Sequence, residues 1–255
     1  MSEIEYRPTA TSTNDLAREA LLGGAEHGYS IRADRQTSGR GRTGNSWVSL
    51  PGNLHLSTVL LPRIKPTELP LITLASAVAV QSSLNSFQLE TQLSWPNDLI
   101  VLPHHRKVGG ILVESVFEGD LFMGSVVGVG INTTLNPETL DMPLSQTVTS
   151  FSHENIEPPD LDLLAESVRS KILGETAGLE SGRISQLLSA WREHNITIGN
   201  RITYVRDNLS RSGTALDLDE KGALVIDEDH TGLVKVRSGE VRLVVNSDTG
   251  PLEGQ

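Results

Sequence analysis

Apolar residues first recur at helical spacing between residues 12 and 24, where Leu16, Ala17, Ala20 and Leu21 share one face. Ser12 stands at the N-cap position of this helix, Asp15 lies in its first turn, and Gly23-Gly24 ends it. Residues 29–33 read as a strand, 38–44 as a glycine-rich loop, Pro51-Gly52-Asn53 as a turn and 54–61 as a buried strand. A core helix is predicted over 67–87, with Pro70 inside its first turn, where a missing N–H is tolerated. Strands follow at 92–94, 109–117 and 121–130, the last two joined into a hairpin by Glu118-Gly119-Asp120. Helices return at 160–175, with Leu161, Leu164, Val168 and Ile172 on one face, and at 184–193.

The pattern changes after Gly199. Short β-rich runs at 201–205, 213–218, 223–226, 232–236 and 241–245 are separated by turn signals such as Lys221-Gly222 and Ser238-Gly239. Strands at this spacing predict a small barrel. A domain boundary is therefore placed near residue 195, giving a large α+β domain over 1–195, a small β domain over 196–247 and a tail over 248–255.

Composition narrows the function classes. The 255 residues are 37% hydrophobic and 21% charged, enough for a sizeable core. With 21 Lys and Arg against 32 Asp and Glu, the formal charge is −11. No basic stripe is present, so nucleic acid is not an expected partner. No cysteine exists, which excludes a thiolate nucleophile, a disulfide framework and a cysteine zinc site. The first residues lack a signal-peptide pattern, and no apolar run reaches the ~18 residues of a membrane span. A cytoplasmic protein is expected, and the sequons at Asn132, Asn195 and Asn208 read as chance matches.

Four segments carry candidate chemistry. Gly39-Arg40-Gly41-Arg42-Thr43-Gly44 matches the spacing of a dinucleotide-binding fingerprint, but the following Asn45-Ser46-Trp47-Val48-Ser49-Leu50-Pro51 cannot open the helix that fingerprint needs. No Gly-Lys pair exists for a phosphate loop, and the kinase signatures are absent. Two arginines among three glycines can instead close around an anion. Their mutual repulsion predicts that 38–45 orders when an anion binds. Trp95-Pro96-Asn97-Asp98 places an amide and a carboxylate at a strand's end, suited to ATP or magnesium oxygens. Lys107 enters a strand beside Gly109-Gly110, where it can neutralise a carboxylate and a phosphate as they meet. Gly128-Val129-Gly130-Ile131-Asn132 ends a strand in glycine and an amide. Each segment alone has an ordinary reading as a turn or a strand edge.

In order, Ser12–Asn14, Gln36–Trp47, Trp95–Asp98, Lys107–Leu112 and Gly128–Asn132 resemble the catalytic region of biotin protein ligases of the monofunctional type: S-T-N, Q-x-x-G-R-G-R-x-G-x-x-W, W-P-N-D, K-x-x-G-I-L and G-x-G-I-N. The resemblance implies a mixed sheet flanked by helices, of the class II synthetase-like kind, followed by an SH3-like barrel. It implies that Ser12, Thr13, Asn14, Gln36 and Gly110 hold biotin, and that Arg40, Gly41 and Arg42 close over the carboxylate and the activated phosphate. Lys107 would bridge carboxylate and α-phosphate, and Arg40, Arg42 and Lys107 would be catalytic. Trp47 would pack on adenine, with Asn97, Asp98 and Asn132 near the phosphates and Mg2+. ATP and biotin are the implied substrates and a biotin carboxyl carrier protein the implied partner. No resident metal site can be named, and a homodimer is left open.

Two departures qualify the resemblance. Ser94 stands where the family usually has Lys before W-P-N-D, and Arg106 is the candidate substitute. Eleven residues precede Ser12, too few for a DNA-binding helix-turn-helix, so repressor activity is not expected. Two alternatives stay open at this point: a lipoate or octanoate attachment enzyme, which is expected to lack the double-arginine loop, and a non-catalytic biotin sensor, motivated by Ser94.

Overall fold

A computed structural model of the chain describes residues 3–206, 209–237 and 241–244. Seven strands form its larger sheet: β1 (Glu5–Ala10), β2 (Ser30–Gln36), β3 (Leu54–Leu60), β4 (Gln92–Ser94), β5 (Asp98–Val101), β6 (Arg106–Glu118) and β7 (Leu121–Ile131). Their order is β1-β2-β3-β7-β6-β5-β4. The β1–β2 pair is parallel and the other pairs are antiparallel, so the sheet is mixed.

The two-residue period of a strand divides the central side chains between two faces. Leu54, Leu56 and Leu60 of β3, with Val127, Val129 and Ile131 of β7, enter the main core. That core is completed by α2 (Leu71–Ser86), α4 (Leu161–Glu180) and α5 (Ile184–Glu193), while α3 (Leu144–Thr147) is a single turn on the surface. The alternate residues, His55, Ser57 and Val59 of β3 and Val126, Gly128 and Gly130 of β7, point the other way. There the ten residues of α1 (Thr13–Leu22) bury Ala17 and Leu21 against Ile31, Val59 and Val126. A helix of that length reaches about 15 Å, whereas the thirteen residues of β6 reach about 43 Å. One end of this face is therefore left uncovered by α1.

Several elements differ from expectation. β1 and β5 carry no alternation that announces them. Pro8 in β1 is tolerated because this strand lies at the sheet's edge. The helix expected over 67–87 begins at Leu71, after a separate short turn at Pro66–Glu68. Pro70 sits at the N-cap rather than inside the first turn, with φ −60° and ψ −25° already helical. α4 runs on to Glu180 and buries Leu179. Ser12 occupies the N-cap of α1 in extended conformation, but its hydroxyl caps nothing.

The C-terminal strands β8 (Arg201–Arg206), β9 (Leu209–Leu218), β10 (Leu224–Glu228), β11 (Gly232–Val236) and β12 (Val241–Leu243) form an antiparallel sheet in the order β11-β10-β9-β8-β12. Its two edge strands are joined by residues 237–240 alone. In a flat sheet they would lie about 19 Å apart, and five Cα steps span at most about 17 Å. The sheet must curl towards closure, as a small barrel does. The expected turn at Ser238-Gly239, the strand end at Val245, the sequon at Asn208 and the 248–255 tail lie outside the described residues. Among the described residues, no helix is long and apolar enough to cross a membrane.

The connection between the two sheets is stitched to β4. Leu93 N donates to His194 O at 2.7 Å, Ile196 N to Leu93 O at 2.9 Å and Trp95 N to Thr197 Oγ1 at 2.9 Å. The buried indole of Trp95 donates to Gly222 O at 3.2 Å. Gly222 has φ +78°, and a Cβ there would lie 2.7 Å from Leu74 Cδ1 of α2. Gly222→Ala therefore combines left-handed strain with a clash at the junction. It should lower stability by about 2 kcal/mol in chemical denaturation; an unchanged midpoint would refute this account of the docking.

Candidate active site

The uncovered end of the α1 face is a cleft of about 500 Å3. Ser12, Thr13, Asn14 and Gln36 line one side, and Arg40, Gly41, Arg42 and Trp47 reach it from the loop after β2. Asn97, Lys107 and Gly110 close the far side. An adjoining cleft of about 620 Å3 shares Gly41, Arg42, Trp47, Asn97 and Lys107, and adds Asp98 together with Val241 of β12.

Glycines make the floor. Gly110 and Gly130 are paired across β6 and β7, and Leu112 pairs with Gly128 one step along the same face. A Cβ on Gly128 would overlap Asn14 Oδ1, and one on Gly130 would come within 2.5 Å of Trp47 Cε2. One on Gly110 would press on Lys107 Cε at 3.0 Å. Each glycine is thus matched to a particular side chain that lies across bare backbone.

The polar end of the cleft is held by buried and half-buried partners. Gln36 Oε1 accepts from Thr13 N at 2.8 Å and from Thr13 Oγ1 at 3.1 Å. Ser57 Oγ donates to Thr13 Oγ1 at 2.8 Å and lies 2.7 Å from Asn14 Oδ1. Asn14 Nδ2 donates to Glu114 Oε2 at 2.6 Å. Behind Gln36, Ser49 Oγ accepts from Gln36 N at 2.7 Å and lies 3.0 Å from the buried His55 Nε2. Ser57, Ser49, His55 and Glu114 were not expected here. For His55 and Ser57 the signal was polar residues at alternating positions of a strand whose residues 54, 56 and 60 are leucine; Ser49 and Glu114 carried none.

Three cations border the two clefts. Lys107 Nζ is 2.7 Å from Asp98 Oδ1 and 5.5 Å from the Trp47 ring centroid. Arg42 Nη1 donates to Asn97 Oδ1 at 3.1 Å, and burial, partly offset by Asp98, lowers the Arg42 pKa. Arg40 Nη1 contacts both Asp15 oxygens at 2.6 and 2.7 Å, and Nη2 contacts both Glu114 oxygens at 3.2 Å. The Asp15 hydrogen bond is the main reason the Arg40 pKa is raised. Anions that neutralise this loop arginine are therefore present in the protein itself. Asn97 also bolts its turn to β6, its Nδ2 donating to Ile111 O at 2.8 Å.

Asn132 lines neither cleft; it is buried, with Nδ2 donating to Thr149 O at 3.0 Å and its backbone N to Val108 O at 2.8 Å. Ser94 pairs with Asp98 across β4 and β5, outside both linings. Arg106 Nη1 lies 3.4 Å from His153 Nε2, and its side chain lines neither cleft. Among the described residues no group of three or more His, Asp or Glu side chains could hold a metal.

Residues 6–132 match the model of the biotin/lipoate A/B protein ligase family. The chain belongs to that family. It is 28% identical over 240 residues to the bifunctional ligase/repressor BirA of Bacillus subtilis, an alignment covering 93% of this chain and 73% of that one. It is also 28% identical to the biotin–[acetyl-CoA-carboxylase] ligase of Mycobacterium tuberculosis, over 91% and 85% of the two chains. In structure it resembles the biotin protein ligase from Aquifex aeolicus in complex with biotin and ATP, with a TM-score of 0.79 and 23% identity over 95% of this chain and 99% of that one. That likeness shows the same fold, a mixed sheet flanked by helices and followed by a β-sheet domain.

Two expectations follow from the site's packing. Gly130→Ala should displace Trp47 while leaving the fold intact, shifting tryptophan emission to longer wavelength; an unshifted spectrum would count against the fitted floor. Burial lowers the His55 pKa below its ordinary value near 6.5, opposed by the Ala33 carbonyl and Asp34. The unfolded chain then takes up the proton first as pH falls, so this stability is full above about pH 6.5 and lost below it. The slope is at most about 1.4 kcal/mol per pH unit. Unfolding free energies between pH 7.5 and 5.5 should show this loss, and His55→Gln should flatten it.

Proposed function

We propose that this chain is a biotin protein ligase that forms biotinyl-5′-AMP from biotin and ATP and transfers biotin to a lysine of a biotin carboxyl carrier protein. One observation carries the reading. Segments far apart in sequence, around residues 12–14, 36–47, 97, 107–112 and 128–130, converge on one cleft bordered by three cations. The 500 Å3 cleft takes biotin, its polar ring edge meeting Thr13, Asn14 and Gln36. The adjoining cleft takes ATP, with Trp47 beside adenine and Arg42, Asn97, Asp98 and Lys107 on the phosphates. Asn132 acts from behind, holding the segment that follows β7 against Thr149.

In the first step a biotin carboxylate oxygen bonds to the α-phosphorus, the bond to the bridging β-phosphate oxygen breaks, and pyrophosphate leaves. Two anions must approach each other, so cations fixed at their meeting point lower the barrier. Lys107, whose Nζ now sits against Asp98, is placed to exchange that partner for substrate oxygens. In the second step the carrier lysine's amine attacks the anhydride carbonyl, AMP leaves, and the amine gives up a proton as the amide forms. Magnesium would arrive as the ATP chelate. The single carboxylate of Asp98 beside phosphate is the donor set expected for Mg2+, which takes most of its ligands from substrate and water.

Residues 1–195 would supply both clefts and 196–247 a wall of the nucleotide cleft through Val241. The test is incorporation of labelled biotin into a purified carrier domain, with and without ATP. ATP-dependent labelling of the carrier lysine supports the proposal. Tight biotin binding without labelling would replace it with a sensor, and no biotin binding would favour a lipoate-type acyl substrate. Lys107→Gln should slow adenylate formation by about 100-fold or more with the fold retained, measured by pyrophosphate release.

A further inference from the structure

The cations of the site are not equivalent. Lys107 and Arg42 line both clefts, but Arg40 is spent on the protein. Its guanidinium forks between Asp15 on α1 and Glu114 on β6, with one nitrogen on each carboxylate. Neither carboxylate lines either cleft. Glu114 also receives the Asn14 amide, so the group that grips Arg40 also orients a lining residue at the polar end of the cleft. Within the loop Gly41 N donates to Asn45 O at 2.7 Å, Asn45 N to Arg42 O at 3.1 Å and Trp47 N to Gly39 O at 2.9 Å, and Arg42 also reaches Asn97. Two carboxylates against one guanidinium leave this corner of the cleft with a formal charge of −1. It does not attract phosphate.

We infer that Asp15 and Glu114 are positioning residues which clasp Arg40 and so hold the 39–47 loop closed over the activated intermediate until the carrier lysine arrives. This rests on the ligase reading above, and it gives Arg40 the work of closure while anion contact falls to Arg42 and Lys107. Each pair is about one-third to two-fifths exposed and contributes little alone, but the two act on one rigid fork.

Hydrogen exchange over residues 38–47 of the ligand-free full chain tests the clasp without any activity. The double variant Asp15→Asn with Glu114→Gln should exchange about tenfold faster than the parent. Adding Arg40→Gln to it should change nothing further, because the carboxylates act through Arg40. Equal exchange in parent and double variant, or additive effects in the triple variant, would overturn the clasp. Asp15→Asn alone, on a partly exposed position of α1, supplies the same comparison if the double variant fails to fold. With preformed biotinyl-5′-AMP bound, the double variant should release it about tenfold faster, followed by filter separation of labelled adenylate. Unchanged release would overturn the gating role. A parent that forms no adenylate would instead remove the ligase reading, while the exchange comparison still decides the clasp.

Discussion

The cleft exists because three positions on one face of the central sheet carry no side chain. Gly110, Gly128 and Gly130 lie on adjacent rungs of β6 and β7, and on that face α1 is too short to cover them. The strand period then does the rest. Residues one step away, Val127, Val129 and Ile131, are bound into the main core, which fixes the register and so the direction of every glycine. Asn14 and Trp47 occupy space that a Cβ would have taken, and Lys107 lies tight against the third position. Stability and function are therefore written on alternate residues of the same strands.

Electrostatic balance follows from this geometry. A site that brings two anions together needs positive charge, yet loop arginines without partners would repel each other and hold the loop open. The protein resolves this by division. Arg40 is neutralised by Asp15 and Glu114, Lys107 rests on Asp98, and Arg42 lies deeper against Asn97. Three cations are thus matched by three carboxylates, Asp15, Glu114 and Asp98, and the loop does not depend on a bound anion for its charge balance.

Much of this was legible in the sequence, unevenly. The helix opening at Ser12, the buried β3 run and the β6–β7 hairpin announce themselves by period, and the glycine pattern marks where backbone is approached. Eleven of the residues to which the motifs gave a role line the first cleft, and Asp98 lines the second. What was not legible depends on distant chain. β1 and β5 are short strands stabilised by neighbours rather than by their own alternation. Ser12 looks like a helix cap yet caps nothing, because it borders the cleft. Asp15 and Glu114 are 99 positions apart, and nothing local shows that they share one arginine. Arg106, adjacent to Lys107 in sequence, lies against His153, since neighbours along a strand point to opposite sides.

The Trp95–Asp98 turn faces two ways. Its tryptophan is sunk in the seam with the C-terminal sheet, bonded to Gly222, while its last two residues stand among the groups proposed to meet phosphate. Trp95 and Pro96 also line the nucleotide cleft, so the seam borders that cleft directly. Where binding at Asn97 and Asp98 strengthens the attachment of the small domain, thermodynamic reciprocity makes loosening of that domain weaken the ligand by the same free energy.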